Sequence, residues 1–161
     1  MSETRPNKLA VIAALDAVLA AELRAVESVA SMARDEATSS ETKAEGKYDT
    51  RATEASYLAR GQAWRVAELR RQVAWLRIFD FSNDSDGTVC TGSLVQIQGD
   101  RISNFFVGPI GGLRAEADGH RVQVVSPSSP LGQAMMGLTE GEDFEVRSPR
   151  GSIAYEILSV E

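Results

Sequence analysis

The segment from residue 35 to residue 50 carries the side chains of this sequence that are best suited to chemistry. Carboxylates that lie close together bind a hard cation such as Mg²⁺ or orient a water molecule. Lysines interrupt the acids, so a solvated loop of mixed charge is the alternative interpretation. The acids are Asp35, Glu36, Glu41, Glu45 and Asp49, and the lysines are Lys43 and Lys47.

The sequence contains one histidine and one cysteine, which argues against several classes of enzyme. His120 follows an Asp-Gly turn with no second His or Cys nearby, so zinc chemistry and a histidine-based triad are not expected. Cys90 has no partner for an internal disulfide, and we expect a buried, inert thiol in a reducing compartment. No phosphate-binding loop or dinucleotide fingerprint is present. The sequence therefore predicts no independent active site.

The composition is typical of an ordinary globular chain of one domain or two small ones. The 161 residues are 43% apolar and 25% charged, and the formal net charge is −6. That charge is uneven, because residues 1–77 have a net charge of +1 and residues 78–161 a net charge of −7. The start of the chain lacks the features of an export signal, and no stretch is apolar enough to cross a bilayer. We expect a cytoplasmic protein that does not contact a membrane.

The first half of the chain is predicted to form two long helices. Proline and glycine are nearly absent before residue 78, and apolar residues recur at steps of three and four over 7–40 and 48–76. Two such stripes joined by a short connection favour an antiparallel hairpin in which each helix covers the other. The predicted seam contains Leu9, Ile12, Leu19, Leu23, Val26, Ala30, Ala33 and Ala37, facing Tyr48, Ala52, Ala55, Ala59, Gln62, Val66, Leu69, Val73 and Leu76.

The second half of the chain is predicted to be a small, mostly antiparallel sheet with one short helix. Strand-like segments lie at 91–98, 101–109, 120–126, 143–148 and 152–160. Between the third and fourth, Ser129 is placed to cap a helix that has Pro130 in its first turn and ends near Gly137. The fold class is therefore α+β. The predicted domains are a helical hairpin over 1–78, with its tip at about 38–49, and a β-rich domain over 79–161.

Residues 126–160 resemble the C-terminal domain of the bacterial Gre transcript-cleavage factors, the GreA/GreB family. About 35 residues take part, with many positions of the family pattern present. Residues 41–52, ETKAEGKYDTRA, also resemble a branch of Gre-like proteins in which a different turn replaces the usual tip. The matching positions near the end of the chain are Ser129, Pro130, Ala134, Gly137, Gly141, Pro149, Gly151, Tyr155, Glu156 and Ile157.

The resemblance implies a fold and a partner. Gre factors place the hairpin in the secondary channel of RNA polymerase and hold the channel rim through a C-terminal domain with an FKBP-like fold. They contact nascent RNA only indirectly. By resemblance, the docking loop lies around Ser129 and Pro130. Arg60 and Arg65, on the second helix, are candidates to face an acidic channel wall, with a solvated helix face as the alternative.

The tip departs from the family pattern Asp-x-x-Glu-Asn-x-x-Tyr. Alignment on Tyr48 places Glu41 at the Asp position and Ala44 at the Glu position, so Glu45 is the nearest acid. Glu41 and Glu45 are four residues apart and converge on one face if the segment is helical. They are the candidate catalytic and metal-binding residues, which would share Mg²⁺ within the polymerase. The free protein is expected to need no cofactor.

Two outcomes stay open for a factor of this kind. The hairpin either stimulates cleavage of backtracked RNA or occludes the channel without cleavage. A different class of function is a protein-interaction module without a role in transcription, and an independent enzyme is a more distant third. For the factor that binds RNA polymerase we expect a monomer.

Overall fold

The computed structural model describes residues 4–38, 50–82, 86–109 and 111–161. Contacts divide the chain into two units, one formed by Ala17–Arg77 and the other by Met1–Asp16 together with Ile78–Glu161. The first turns of the first helix therefore group with the β-rich half. The domain ranges 1–78 and 79–161 stay a prediction.

Two long helices form the first half of the chain, as the apolar periodicity predicts. Helix α1 spans Lys8–Thr38 and helix α2 spans Arg51–Ile78. Asn7 caps α1, because its side-chain oxygen accepts hydrogen bonds from the N–H groups of Leu9 at 2.9 Å and Ala10 at 3.2 Å. The α2 helix follows Thr50, whose carbonyl accepts the first helical hydrogen bond, from the N–H of Glu54.

The two helices form a hairpin within the unit Ala17–Arg77. An apolar seam is buried along it, and two ion pairs join the helices beside the seam, Glu22 with Arg65 and Glu27 with Arg70. Apolar burial contributes most of the stabilisation, because partly exposed ion pairs contribute little. The buried seam residues of this unit are Leu19, Ala30, Ala33, Val66, Leu69, Val73 and Leu76.

The seam residues predicted at the start of α1 are wrong, because the buried residues there lie on a slightly different face of the helix. Leu9 is 73% exposed, whereas Val11 and Leu15 are buried. The observed stripe runs Val11, Leu15, Leu19 in steps of four, which keeps Asp16 out of the seam. The Tyr48 position and the side chain of Ala37 lie outside the described residues.

The second half of the chain forms a mixed sheet with the strand order β3-β4-β2-β1-β6-β5 among the described residues. Four neighbouring pairs are antiparallel, and β2 pairs with β4 in parallel. The predicted α+β fold class, a helical hairpin followed by a small β domain with one short helix, is confirmed. The elements are β1 Leu94–Gln98, β2 Ile102–Val107, β3 Arg114–Ala117, β4 His120–Val125, α3 Pro130–Met135, β5 Asp143–Ser148 and β6 Gly151–Val160.

Strand β3 was not predicted from the sequence. Its residues, Arg-Ala-Glu-Ala, contain no β-branched or aromatic side chain and favour helix over strand. Pairing with β4 overrides that preference and places Ala115 and Ala117 on the buried face. Short side chains are sufficient for a strand at the edge of the sheet.

The core of the β domain lies between the sheet and α3. Met135 of α3 is fully buried in one cluster with side chains of the sheet, among them Val95, Val107 and Ile157. Phe144 of β5 joins the cluster and stacks on Tyr155 of β6, with ring centroids 5.4 Å apart. The core therefore fixes α3, and with it the loop that precedes α3, against the sheet.

Candidate partner-binding surfaces

The loop before α3 is held by hydrogen bonds inside the domain. The Ser129 hydroxyl donates to the Ser126 carbonyl at 2.7 Å and accepts from the Gly132 N–H at 3.0 Å. Ser129 is half-buried and is the N-cap of α3, whereas Pro130, in the first turn, is exposed. Pro130 is therefore accessible at the surface, and Ser129 fixes the position of the first turn that contains it.

Close packing fixes the same loop from the other side. A Cβ atom added to Gly132 would lie 2.0 Å from the Ser126 carbonyl oxygen, far inside van der Waals contact. The side-chain amide of Gln133 also donates to the Ser128 carbonyl at 3.2 Å. The role of Gly132 could not be predicted from the sequence, because a glycine inside a short helix pattern carries no local sign of a neighbouring backbone.

Replacing Ser129 tests this positioning role. We expect Ser129→Ala to lower the free energy of unfolding by about 1 kcal/mol, because the N-cap bond to Gly132 is lost. Ser128→Ala is the control, since Ser128 is exposed and its hydroxyl bonds the Ser126 hydroxyl, and we expect a change within about 0.5 kcal/mol. Urea unfolding followed by circular dichroism measures both. Equal stability of the two variants would contradict the capping role.

The two arginines predicted to bind a partner have different surroundings. Arg65 is half-buried and forms an ion pair with Glu22 of α1, so its charge is already engaged within the hairpin. Arg60 is exposed, and its guanidinium lies 5.9 Å from the ring centroid of Tyr57. The structure therefore leaves Arg60 available to a partner and gives Arg65 a role inside the hairpin.

The other candidate residues are the two tip carboxylates and the single cysteine, and only the cysteine lies in the described part of the chain. Glu41 and Glu45 lie outside the described residues, so their metal-binding and catalytic roles stay predictions. Among the described residues, no group of three His, Cys, Asp or Glu side chains is arranged to hold a metal ion.

Cys90 is half-buried rather than buried, and its sulfur lies 3.5 Å from the Ser93 hydroxyl. No helix in the described ranges is long and apolar enough to cross a membrane.

The domain that contains Pro130 is similar to a domain of known proteins. Residues 85–161 match the family model "Transcription elongation factor, GreA/GreB, C-term". These residues are therefore similar to the C-terminal domain of the GreA/GreB factors. The match includes the whole sheet, α3 and the loop before α3, and it confirms the Gre resemblance predicted from residues 126–160.

Curated relatives extend the similarity to the GreA factors. The chain is 31% identical over 100 residues to transcription elongation factor GreA of Nitrosococcus oceani and 37% identical over 97 residues to GreA of Nitrobacter hamburgensis. Each alignment covers 60% of this chain and 60% of the GreA relative. Gfh1 of Thermus aquaticus is a similar solved structure, with 15% identity, a TM-score of 0.38, and coverage of 89% of this chain and 91% of Gfh1.

Proposed function

We propose that this chain binds RNA polymerase, inserts the α1–α2 hairpin in the secondary channel and regulates transcription elongation. The observation that supports the proposal is the match of residues 85–161 to the GreA/GreB C-terminal family model, with a helical hairpin before these residues in the chain. The domain would hold the channel rim through the loop at Pro130, and the hairpin would bring residues 39–49 to the polymerase active site. The protein would act in the cytoplasm as a monomer.

The proposed chemistry belongs to the polymerase. Glu41 and Glu45 would help to hold a second Mg²⁺ at the polymerase active site, where carboxylate oxygens suit a hard cation. Stimulated cleavage of backtracked RNA is one form of the proposal. Occlusion of the channel is the other, because Ala44 stands where the family has a carboxylate and Lys43 and Lys47 reduce the local negative charge.

Binding to core RNA polymerase tests the proposed partner. We expect the full chain to be retained by immobilised polymerase and Pro130→Ala to weaken retention, because Pro130 is the exposed residue of the docking loop. Pro149→Ala is the matched control, since Pro149 is also exposed but lies in the turn between β5 and β6. No retention of the wild-type chain would overturn the proposal and favour an interaction module without a role in transcription.

A stalled, backtracked elongation complex separates the two forms of regulation. In the cleavage form, the wild-type chain shortens the RNA and the double variant Glu41→Ala/Glu45→Ala does not. Glu54→Ala is the control, because Glu54 is an exposed acid in the first turn of α2. In the occlusion form, the wild-type chain slows elongation without shortening the RNA. Equal shortening by the wild type and the double variant would contradict the role of these carboxylates.

A further inference from the structure

The outer face of α2 carries an exposed ridge of aromatic and basic side chains, Tyr57, Arg60 and Trp64. Tyr57 is 68% exposed and Trp64 is 65% exposed. The spacing of three, then four residues puts the three side chains on one helical face, over a length of about 10 Å. The buried stripe of α2, which includes Val66, Leu69 and Val73, lies on the opposite face. The ridge therefore points away from α1 and does not contribute to the hairpin seam.

The composition of the ridge is that of a binding hot spot. Trp, Tyr and Arg are the residues most enriched among those that dominate the energy of protein interfaces. A large exposed aromatic surface has no stabilising role in the free hairpin, because it buries little area there. The Arg60 guanidinium lies over the Tyr57 ring, so the ridge combines aromatic surface with a positive charge.

The charge of α2 indicates the chemistry of the partner surface. Helix α2 contains six arginines and two glutamates. Arg65, Arg70 and Arg71 each form an ion pair with a glutamate of the hairpin. For Arg60, the described residues provide no ion pair, although its neighbour Tyr57 contacts the guanidinium. A partner with carboxylates beside apolar side chains complements this arrangement in both charge and polarity.

We propose that the ridge Tyr57–Arg60–Trp64 is the surface by which the hairpin contacts RNA polymerase, with Trp64 as the principal anchor. The inference rests on the proposed function and deepens it, because it assigns the contact to one face of one helix. It also separates Arg60, which binds the partner, from Arg65, which is engaged with Glu22.

The test compares single alanine variants of the full chain in binding to core RNA polymerase. We expect Trp64→Ala to weaken the affinity about tenfold or more, and Tyr57→Ala and Arg60→Ala to weaken it by smaller factors. Met32→Ala is the matched control, because Met32 is 68% exposed on α1, and its affinity should equal that of the wild type. Circular dichroism is used to check that each variant is folded, and we expect it to be folded because the substituted positions are exposed.

Three other outcomes would overturn the inference, and they can be told apart by which binding is lost. Wild-type affinity of Trp64→Ala, with binding of the wild type intact, removes the ridge from the interface and leaves the proposed function standing. No binding by the wild-type chain removes both. A single-stranded RNA oligonucleotide is titrated in parallel, and a loss of RNA affinity with polymerase affinity unchanged would show that the ridge binds nucleic acid instead of protein.

Discussion

Gly132→Ala is expected to destabilise the β domain by about 3 kcal/mol. The added methyl group would lie 2.0 Å from the Ser126 carbonyl oxygen and 3.0 Å from the Cα atom of Pro127. Both neighbours are backbone atoms, so a change of side-chain rotamer gives no relief. The loop before α3 must move, and its movement weakens the hydrogen bonds that Ser129 makes to Ser126 and Gly132.

Urea unfolding measures this loss of stability. Gly61→Ala is the control, because the same substitution there is expected to raise the free energy of unfolding instead of lowering it. Gly61 is exposed within α2, and a Cβ atom there would meet nothing within 4 Å. We expect Gly61→Ala to stabilise the hairpin by about 0.5–1 kcal/mol, because alanine has the better helix propensity. If Gly132→Ala proved as stable as the wild type, the close approach of α3 to Ser126 would be wrong.

A displaced loop also has a functional consequence under the proposed function. Gly132→Ala moves Pro130, so retention on RNA polymerase should fall at temperatures where the variant is still folded. Pro130→Ala should weaken the same retention without loss of stability, since Pro130 is exposed. The pair therefore distinguishes a residue that positions the docking loop from one that contacts the partner.

Leu69→Ala is expected to destabilise the hairpin by about 2–5 kcal/mol. Leu69 is fully buried in the seam, with Val66 and Val73 buried on the same face of α2. Truncation removes apolar contacts and leaves a cavity that the surrounding side chains fill only partly. Helical circular dichroism during thermal unfolding measures the loss as a lower midpoint for the helical signal.

Leu58→Ala is the matched control, because it makes the same change in the same helix. Leu58 is 51% exposed, so we expect a change within about 0.5 kcal/mol. A similar loss of stability in both variants would mean that the seam does not run through Leu69. Urea unfolding of the two variants gives the free energy of unfolding, which is compared together with the thermal midpoint, since a variant that frays also changes the slope of the urea transition.

The long helices, the order of the two halves and most strands follow from the sequence because their signals are local. Apolar residues at steps of three and four need only the geometry of the helix, and alternation in Phe144 and Val146 needs only that of the strand. Strand β3 has no such signal, because Ala115 and Ala117 become strand residues through pairing with β4. The phase of the seam near residue 9 was also wrong, since several adjacent alanines and valines allow more than one stripe.

The resemblance to the GreA/GreB C-terminal domain could be predicted from the sequence alone, from the pattern of residues 126–160. Only the tertiary structure decided which candidates are free to bind. Arg60 and Arg65 are equivalent in sequence, but Glu22 lies across the hairpin from Arg65 and engages its charge. The roles of Ser129 and Gly132 likewise depend on Ser126, which the fold brings against α3. Residue type and spacing show which contacts a side chain can make. Packing against distant parts of the chain decides whether the side chain already makes those contacts within the fold.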